Sequence, residues 1–503
     1  MSSKNILERG LAMISPEWAA RRMGARFALE EMTRAYDAAK NTNQTGGWTA
    51  LGTSANAEIG PAIFNLRNRS RDLVRNSPWG AKAVRIIQSN VVGRGITPYL
   101  PRGTKQEKNL IMDQWERFSD NCDPEGMMDF YGLQGLVIRA VFESGECLIR
   151  IRKRPSSWKM DIPVQLEVLE SDFIDYGKNE SLKNGNIIIL GREFDRHGRR
   201  VAYWLFPQHP GDSLVNYRKG FASQRIDARE IIPIFDKLRP GQVAGVPWMA
   251  PVALKTRDVE DYDAAELVRK KIEACFVAFI QTSSPGKHGG FAGTGEKDDK
   301  GDLVERISPG RVYRHGHDQD VKFGSPASVP GYGDYMKVQQ HAIAAGIGIS
   351  YEQLTGNLAD VNYGSLRGGK VEFWAVLDIW QHLMMVPQLC KRVWNHVNDV
   401  AVFLGQRQPG YNPATWTAPI RPWIDPRKDA EGQEALIKSG ITTLQRTISD
   451  RGEDPEQHLD EIAAMNQMLD DRKIILTSDP RQKLQKTEKK PAKKDSANAS
   501  SKD

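Results

Sequence analysis

Helical and strand-like spacings of apolar residues alternate along the first half of the chain. In SPWGAKAVRIIQSNVVGRGITPYL (77–100), Ala83, Ile86 and Ile87 recur at helical spacing, and Gly93 and Gly95 predict a turn into a short strand. From 129 to 206 the pattern is predicted to change to an apolar residue at every second position, which is typical of β-strands. VQLEVLE alternates cleanly, ECLIRIRKR nearly does so, and EFDRHGRRVAYWLF predicts a hairpin turning at His197-Gly198. The pattern predicts an α+β domain with a half-exposed antiparallel sheet.

Long helical patterns dominate the second half. The predicted helices lie at 258–280, 334–348, 370–405, 431–452 and 454–469. The first has acidic residues in its first turn and basic residues further along, an order that the helix dipole favours. Pro387 predicts a kink in the third helix, because proline removes a backbone hydrogen bond.

The composition changes sharply between the first two of these helices. SSPGKHGGFAGTGEKDDKGD (283–302) is poor in apolar residues and dense in Gly, Lys and Asp, which predicts a loop. Short apolar runs behind it predict three strands, at 303–307, 312–313 and 321–323.

Both ends of the chain differ from the body. Residues 1–60 hold a basic amphipathic helix signal, with Ser15 as cap and Pro16 at the first helical position, followed by a predicted loop at 41–60. This arm either grips a neighbour or DNA, or packs on its own body. Beyond Asp479 almost no apolar residue remains, so the tail is predicted to be disordered.

Composition limits the partner classes. The 503 residues carry a net charge of +7 and a pI near 9.0, which permits a nucleic-acid partner without requiring one. The four cysteines form no CxxC pair, so zinc-ribbon and redox motifs are excluded and reduced thiols are expected. No apolar run reaches about 18 residues and no signal core is present, so a soluble protein made in the cytoplasm, without a membrane partner, is expected.

Three patterns in the sequence suggest an enzyme, but each only weakly. Gly290 to Gly295 has phosphate-loop spacing but lacks the Lys-Ser/Thr that follows in such loops. In a strand, His315 and His317 would share a face and reach one metal with Asp320, whereas a polar turn explains the same residues. Four carboxylates near the sheet are explained by a solvated face: Glu143, Glu146, Glu170 and Asp172. We therefore predict no enzymatic activity, no cofactor and no metal.

Four stretches taken together resemble the lambda-type family of bacteriophage portal proteins. They are SPWGAKAVRIIQSNVVGRGITP, the Arg-Pro-Gly-Gln stretch and helix at 237–276, NYGSLRGGKVEF, and SGITTLQRTISDRGEDPEQHLDEIA. In the third, Tyr363, Ser365, Arg367 and Glu372 stand at the family's positions, whereas Gly364 replaces a favoured Ser. The resemblance covers about 15–475, and its strength lies in the order and spacing of the motifs.

The resemblance implies a ring, usually of twelve subunits, at one capsid vertex. Double-stranded DNA would be packaged and ejected through its channel without sequence preference. The ring would dock the terminase large subunit and head-completion adaptors, contact the major capsid and scaffold proteins, and initiate head assembly in the host cytoplasm. The alternatives are a tail or baseplate structural protein, or a metal-dependent hydrolase using His315 and His317.

The family architecture implies a division of the chain. The expected parts are an arm (1–60), an α+β wing (61–257), a stem helix (258–281), a clip (282–333), a second stem helix (334–349), a tunnel loop (350–366), a long kinked wing helix (367–430), crown helices (431–478) and a basic tail (479–503).

Three groups of site residues follow from this division. The expected DNA-facing residues of the tunnel loop are Asn357, Asp360, Asn362, Tyr363, Ser365 and Arg367. Arg367 either contacts DNA, or caps a helix or pairs with a neighbouring subunit. The clip would dock terminase through Lys287, His288, Lys297 and Lys300. The tail would bind phosphate through Lys486, Lys489, Lys490, Lys493 and Lys494.

Overall fold

The computed structural model describes residues 52–212, 222–271 and 331–476, apart from 360, 411, 452 and 454. It also gives the backbone of 272–274 and of four short strands between 278 and 323, and a few isolated positions before residue 52. The chain forms two compact units, Met1–Ser54 and Ala55–Asp503, and all elements named below belong to the second. The predicted arm therefore lies mostly outside the described residues.

Four helices begin the second unit: α1 (Ala55–Asn76), α2 (Pro78–Val91), α3 (Lys105–Asn121) and α4 (Phe130–Ser144). α1 corrects the loop predicted at 41–60, because the chain is helical from Ala55 and buries Ile59 and Ile63. The boundary predicted between arm and wing at residue 60 falls inside this continuous helix.

α2 confirms the first predicted helix. Ser77 caps it, Pro78 begins it, and Ala83, Ile86 and Ile87 are buried on one face. Two glycines with positive φ, Gly93 at 51° and Gly95 at 123°, then form the predicted turn into strand β1 (Thr97–Tyr99).

α4 contradicts the strand period that was predicted from residue 129. The Asp129 side chain caps this helix by accepting from the Gly132 amide at 2.7 Å, and Gly145 ends it in the left-handed conformation. Val137, Ile138, Val141 and Phe142 are all fully buried. A helix that is apolar on several sides shows no clear helical period, so the sequence pattern was ambiguous here.

A three-stranded antiparallel sheet packs against α4. Its strands β2 (Glu146–Lys153), β3 (Val164–Glu170) and β9 (Ile231–Phe235) lie in the order β3-β2-β9. Ile149 and Ile232 pair on the face that joins the main core, whereas Leu148, Leu169 and Ile231 join a second apolar cluster on the opposite face. The predicted half-exposed sheet is therefore wrong at this end, because both faces are covered.

A second sheet has five strands in sequence order: β4 (Glu180–Ser181), β5 (Ile187–Ile189), β6 (Arg192–Phe194), β7 (Arg200–Leu205) and β8 (Gln224–Asp227). β6 and β7 form the predicted hairpin, with Gly198 at φ 77° in its turn. Arg192 Nη2 lies 2.6 Å from Glu146 Oε1, and both side chains are 1% exposed. This buried ion pair joins the two sheets.

The helix predicted at 258–280 is displaced from its predicted bounds. α5 spans Ala253–Ala274, so Ile280 lies in a strand and the prediction of helix to 280 is wrong. β10 (Ala278–Thr282) pairs with β13 (Gln319–Phe323), and β11 (Glu296–Lys297) pairs with β12 (Leu303–Val304). β11 also corrects the uniform loop predicted at 283–302. The strand predicted at 312–313 lies outside the described residues.

α6 (Tyr332–Ile347) confirms the helix predicted at 334–348. The Tyr332 hydroxyl donates to the Asp263 carboxylate of α5, and this hydrogen bond raises the pKa of Tyr332 to about 12. α5 and α6 are thus joined by a polar contact as well as by a ring contact between Tyr262 and Tyr335.

A short helix, α7 (Tyr351–Thr355), is followed by one long helical rod. The rod comprises α8 (Tyr363–Asp378), a π-helical segment (Ile379–Cys390) and α9 (Lys391–Phe403). Pro387 lies inside the π segment, so the disturbance predicted there takes the form of wider helical geometry. The Gln388 side chain in this segment makes two 3.0 Å hydrogen bonds with the backbone of Phe235, which fixes the rod to the edge of the first sheet.

The C-terminal part contains strand β14 (Thr415–Thr417), which pairs with β1, and helices α10 (Pro426–Lys438), α11 (Leu444–Ser449) and α12 (Pro455–Asp471). Gly440 at φ 73° lies between α10 and α11, so the single helix predicted at 431–452 is two helices. Neither α10 nor α12 has a buried residue. Lys105 and Lys108 of α3 pair with Asp460 and Glu456 of α12.

Candidate functional site

Helix caps, glycine turns and one buried leucine fix the segment between α6 and α8. α6 ends at Gly348, whose φ of 87° lets its amide bond the Ala344 and Ala345 carbonyls. Ser350 and Gln353 form a reciprocal cap at the start of α7, and Leu354 is buried in the main core. Gly356, at φ 75°, ends α7 and turns the chain outwards.

The residues after Gly356 form an exposed turn. The Asn357 Oδ1 accepts from the Ala359 amide at 3.0 Å, and its Nδ2 lies 3.4 Å from the Tyr351 hydroxyl. Leu358 is 61% exposed. Asp360 lies outside the described residues. Asn357 thus shapes the turn through hydrogen bonds within the chain, and its neighbours present side chains to the outside.

Asn362 and Ser365 cap the start of α8, a role that was not predicted from the sequence. The Asn362 Oδ1 accepts from the Ser365 amide at 2.8 Å, and the Ser365 Oγ accepts from the Asn362 amide at 3.2 Å. The two side chains form a reciprocal cap on α8 rather than free polar groups in a loop. The helix begins at Tyr363, inside the segment that was predicted to be loop to 366. The spacing N-x-x-S before an apolar run was the available signal.

Replacing Asn362 with Ala should lower the free energy of unfolding by about 1 kcal/mol, because α8 loses its cap. Asn362→Asp should retain most of the stability, since Asp also accepts from the backbone amide. Urea unfolding of both variants checks this. Equal midpoints for Asn362→Ala and the wild type would show that the cap contributes nothing.

Tyr363 and Arg367 lie one turn apart on α8 and face the C-terminal helices. Arg367 Nη2 is 3.5 Å from Asp429 Oδ1, and Lys428 Nζ lies 5.5 Å from the centre of the Tyr363 ring. Both contacts are with α10 of the same chain. Of the alternatives considered for Arg367, the structure shows ion pairing, but with a residue of its own chain that no local pattern could indicate.

Several predicted site residues lie outside the described part of the chain. These are Lys287, His288, Lys300, His315, His317, Lys486, Lys489, Lys490, Lys493 and Lys494. Lys297 belongs to β11, of which only the backbone is described. Their roles stay predictions.

The carboxylates near the sheet are paired with arginines, and the expectation of a solvated face holds for Glu170, which is 54% exposed, but is wrong for Glu143, Glu146 and Asp172. Arg71 Nη2 lies 2.6 Å from Glu170 and 2.5 Å from Asp172. Burial works against the charged form of Asp172, but Arg67 and Arg71 outweigh it and lower its pKa. In the described part of the chain, Glu170, Asp172 and His209 are the one group close enough to share a metal, and Arg71 already supplies a cation there.

Two further sequence expectations concern thiols and membranes. Cys122, Cys147 and Cys390 are buried free cysteines, and burial raises the pKa of each thiol. Among the described residues, no helix combines the length and apolar character needed to cross a bilayer.

The comparisons with known proteins agree on one class. The family model described as "Phage portal protein, lambda family" matches residues 41–381. A probable portal protein of Halomonas phage phiHAP-1 is 27% identical, with 86% of each chain covered. Portal protein B of Escherichia phage lambda is 21% identical, with 82% of this chain and 85% of that protein covered.

A solved structure is also similar. A chain from the neck of a native gene transfer agent particle, computed with C12 symmetry, matches with a TM-score of 0.43 and 14% identity, covering 75% of this chain and 92% of that one.

An α+β chain of long helices with this family match is a phage portal protein. It belongs to the lambda family of phage portal proteins and is a component of the virion.

Proposed function

We propose that the segment 356–361 lines the channel of a portal ring and faces the duplex during packaging and ejection. The observation that carries this is the exposed turn between two stable helix caps, in a chain of the portal family. Asn357 bonds its own turn, and Arg367, the cation nearest along the chain, is paired with Asp429. Each phosphate that a cation neutralises strengthens DNA binding, and strong binding would hold the duplex in place. A channel lining without unpaired cations therefore allows the duplex to move.

The ring itself is proposed from helix faces that the single chain leaves uncovered. On α5, Leu267 and Val268 are more than half exposed, and on α12 the side chains of Leu459, Ile462 and Met465 are 40–53% exposed. Of these, Ile462 and Met465 lie roughly opposite the residues that pair with Lys105 and Lys108 on α3, and Leu459 lies to one side. One face of α12 therefore forms ion pairs with α3 of the same chain, and another face is apolar and exposed. Such an exposed apolar face is suited to packing against a neighbouring copy of the chain.

The remaining assignments follow the family. A ring of twelve, with the wing, stem, clip, tunnel-loop and crown divisions given above, would dock the terminase large subunit at the clip. It would contact capsid, scaffold and adaptor proteins elsewhere, and the basic tail would bind packaged DNA diffusely. The proposed role needs no catalysis, since a separate terminase ATPase would drive the DNA.

We expect rings with a central hole in electron micrographs of the purified protein. Ile462→Lys with Met465→Lys should shift the protein towards smaller species, because charges would enter an apolar interface. The matched control is Gln467→Lys, on the polar side of the same helix, which should assemble normally. Mass photometry gives the subunit number. Protein that never forms rings would contradict the proposed assembly through these helix faces.

A further inference from the structure

A cleft of about 910 Å³ separates the start of the long rod from the C-terminal helices. α8 forms one wall, and the segment 415–424 with α10 and α11 forms the others. Two contacts join α8 and α10 beside the cleft, Arg367 with Asp429 and Tyr363 with Lys428, and Arg367, Lys428 and Asp429 line it.

Two backbone amides orient the Asp429 carboxylate towards Arg367. Its Oδ2 accepts from the amides of Ile424 and Asp425, at 3.0 Å and 3.2 Å, which leaves Oδ1 directed at Arg367. The Asp429 side chain is only 20% exposed, whereas that of Arg367 is 50% exposed. The carboxylate is therefore held at the start of α10 by two backbone amides, and the arginine is the more exposed partner.

The paired residues on α8 follow the exposed turn directly. Tyr363 is the first residue of α8 and adjoins the cap residue Asn362, and Arg367 lies one turn later. α10 buries none of its side chains, so an apolar core does not hold this helix in place within the described part of the chain. A shift of α10 would therefore change the support of the first turn of α8, and with it the turn at 356–361.

We propose that Asp429 and Lys428 are positioning residues for the loop at 356–361, so that the place of the C-terminal helices sets the conformation of the loop. Exposed ion pairs and cation–π contacts are weak and screened by salt, so the coupling is reversible and responsive to small displacements. This inference concerns contacts within one chain and does not depend on the loop facing DNA.

The test is hydrogen exchange of the loop amides, followed by mass spectrometry on the assembled protein without DNA. Asp429→Asn and Arg367→Met should each speed exchange across 356–366 by up to about fivefold, the effect of losing one exposed ion pair. The double variant should exchange no faster than either single variant, because both remove the same contact. At high salt the wild type should approach the variants.

The control breaks an ion pair elsewhere on the same helix. Arg427 and Glu431 pair at 3.0 Å on α10, so Arg427→Gln with Glu431→Gln weakens the helix without touching α8. This variant should leave loop exchange unchanged. Equal exchange in Asp429→Asn and the wild type, additive effects in the double variant, or an equal change in the control would each overturn the coupling. DNA packaging, measured separately, decides whether the loop faces the duplex.

Discussion

Replacing Gly245 with Ala should destabilise the body by about 3 kcal/mol or more, because the new methyl group would overlap the backbone. A Cβ at Gly245 would lie 1.9 Å from the Gly145 carbonyl oxygen and 2.8 Å from the Phe235 Cβ. Gly145 cannot move aside, since it ends α4 at φ 87° and already lies against Val246 and Pro247. The contact joins the Arg-Pro-Gly-Gln loop to the turn between α4 and β2.

Gly241, in the same loop, supplies the matched control. It has φ 77°, and no atom lies within 4 Å of the position that a Cβ would take. Gly241→Ala should therefore cost only about 1 kcal/mol of backbone strain. Urea unfolding of both variants separates steric overlap from strain. Similar midpoints for the two would mean that the close approach at Gly245 relaxes without cost.

Introducing lysines at Leu358 and Ala359 should slow or stall DNA packaging if the loop lines the channel. Both positions are exposed, and neither serves a cap, so folding should change by no more than about 0.5 kcal/mol. A ring of twelve would gain about 24 positive charges, comparable to the charge on about 40 Å of duplex. Such a lining should hold a sliding duplex, and the defect should ease as salt screens the attraction.

The measurement is packaging by assembled heads that carry the double-Lys portal, across a salt series. Leu358→Gln with Ala359→Gln is the neutral control, which changes the same positions without adding charge. We expect it to package at the wild-type rate. Wild-type packaging by the double-Lys portal at every salt concentration would show that this loop does not face DNA, and a defect shared by the Gln variant would assign the effect to shape rather than charge.

Elements with local signals could be predicted from the amino-acid sequence alone. The helix α2, with its apolar face and the two glycines after it, was predicted, as were the hairpin at Gly198 and the helix α6, whereas the Ser77 cap of α2 was seen only in the structure. In each case the signal, an apolar period or a turn-forming glycine, lies within one continuous segment of the chain. The family could also be recognised, because the order of several motifs is itself a property of the sequence.

Other elements could be assigned only from the folded chain. Their residues are buried on more than one side, or they pair with segments far away in the sequence. α4 has apolar residues on several faces, so spacing could not separate helix from strand. β10 was predicted as the end of a helix, since its strand partner β13 comes about 40 residues later. The two covered faces of the first sheet likewise depend on which distant elements pack against it.

The candidate site shows the same division. Its place between two helices follows from local polar and glycine residues, and the cap formed by Asn362 and Ser365 was present in the sequence as N-x-x-S. The pairing of Arg367 with Asp429 was not, because it joins residues far apart in the chain across a cleft. Hydrogen bonds within a helical turn are fixed by spacing, whereas an ion pair between helices is fixed only when the whole chain has folded.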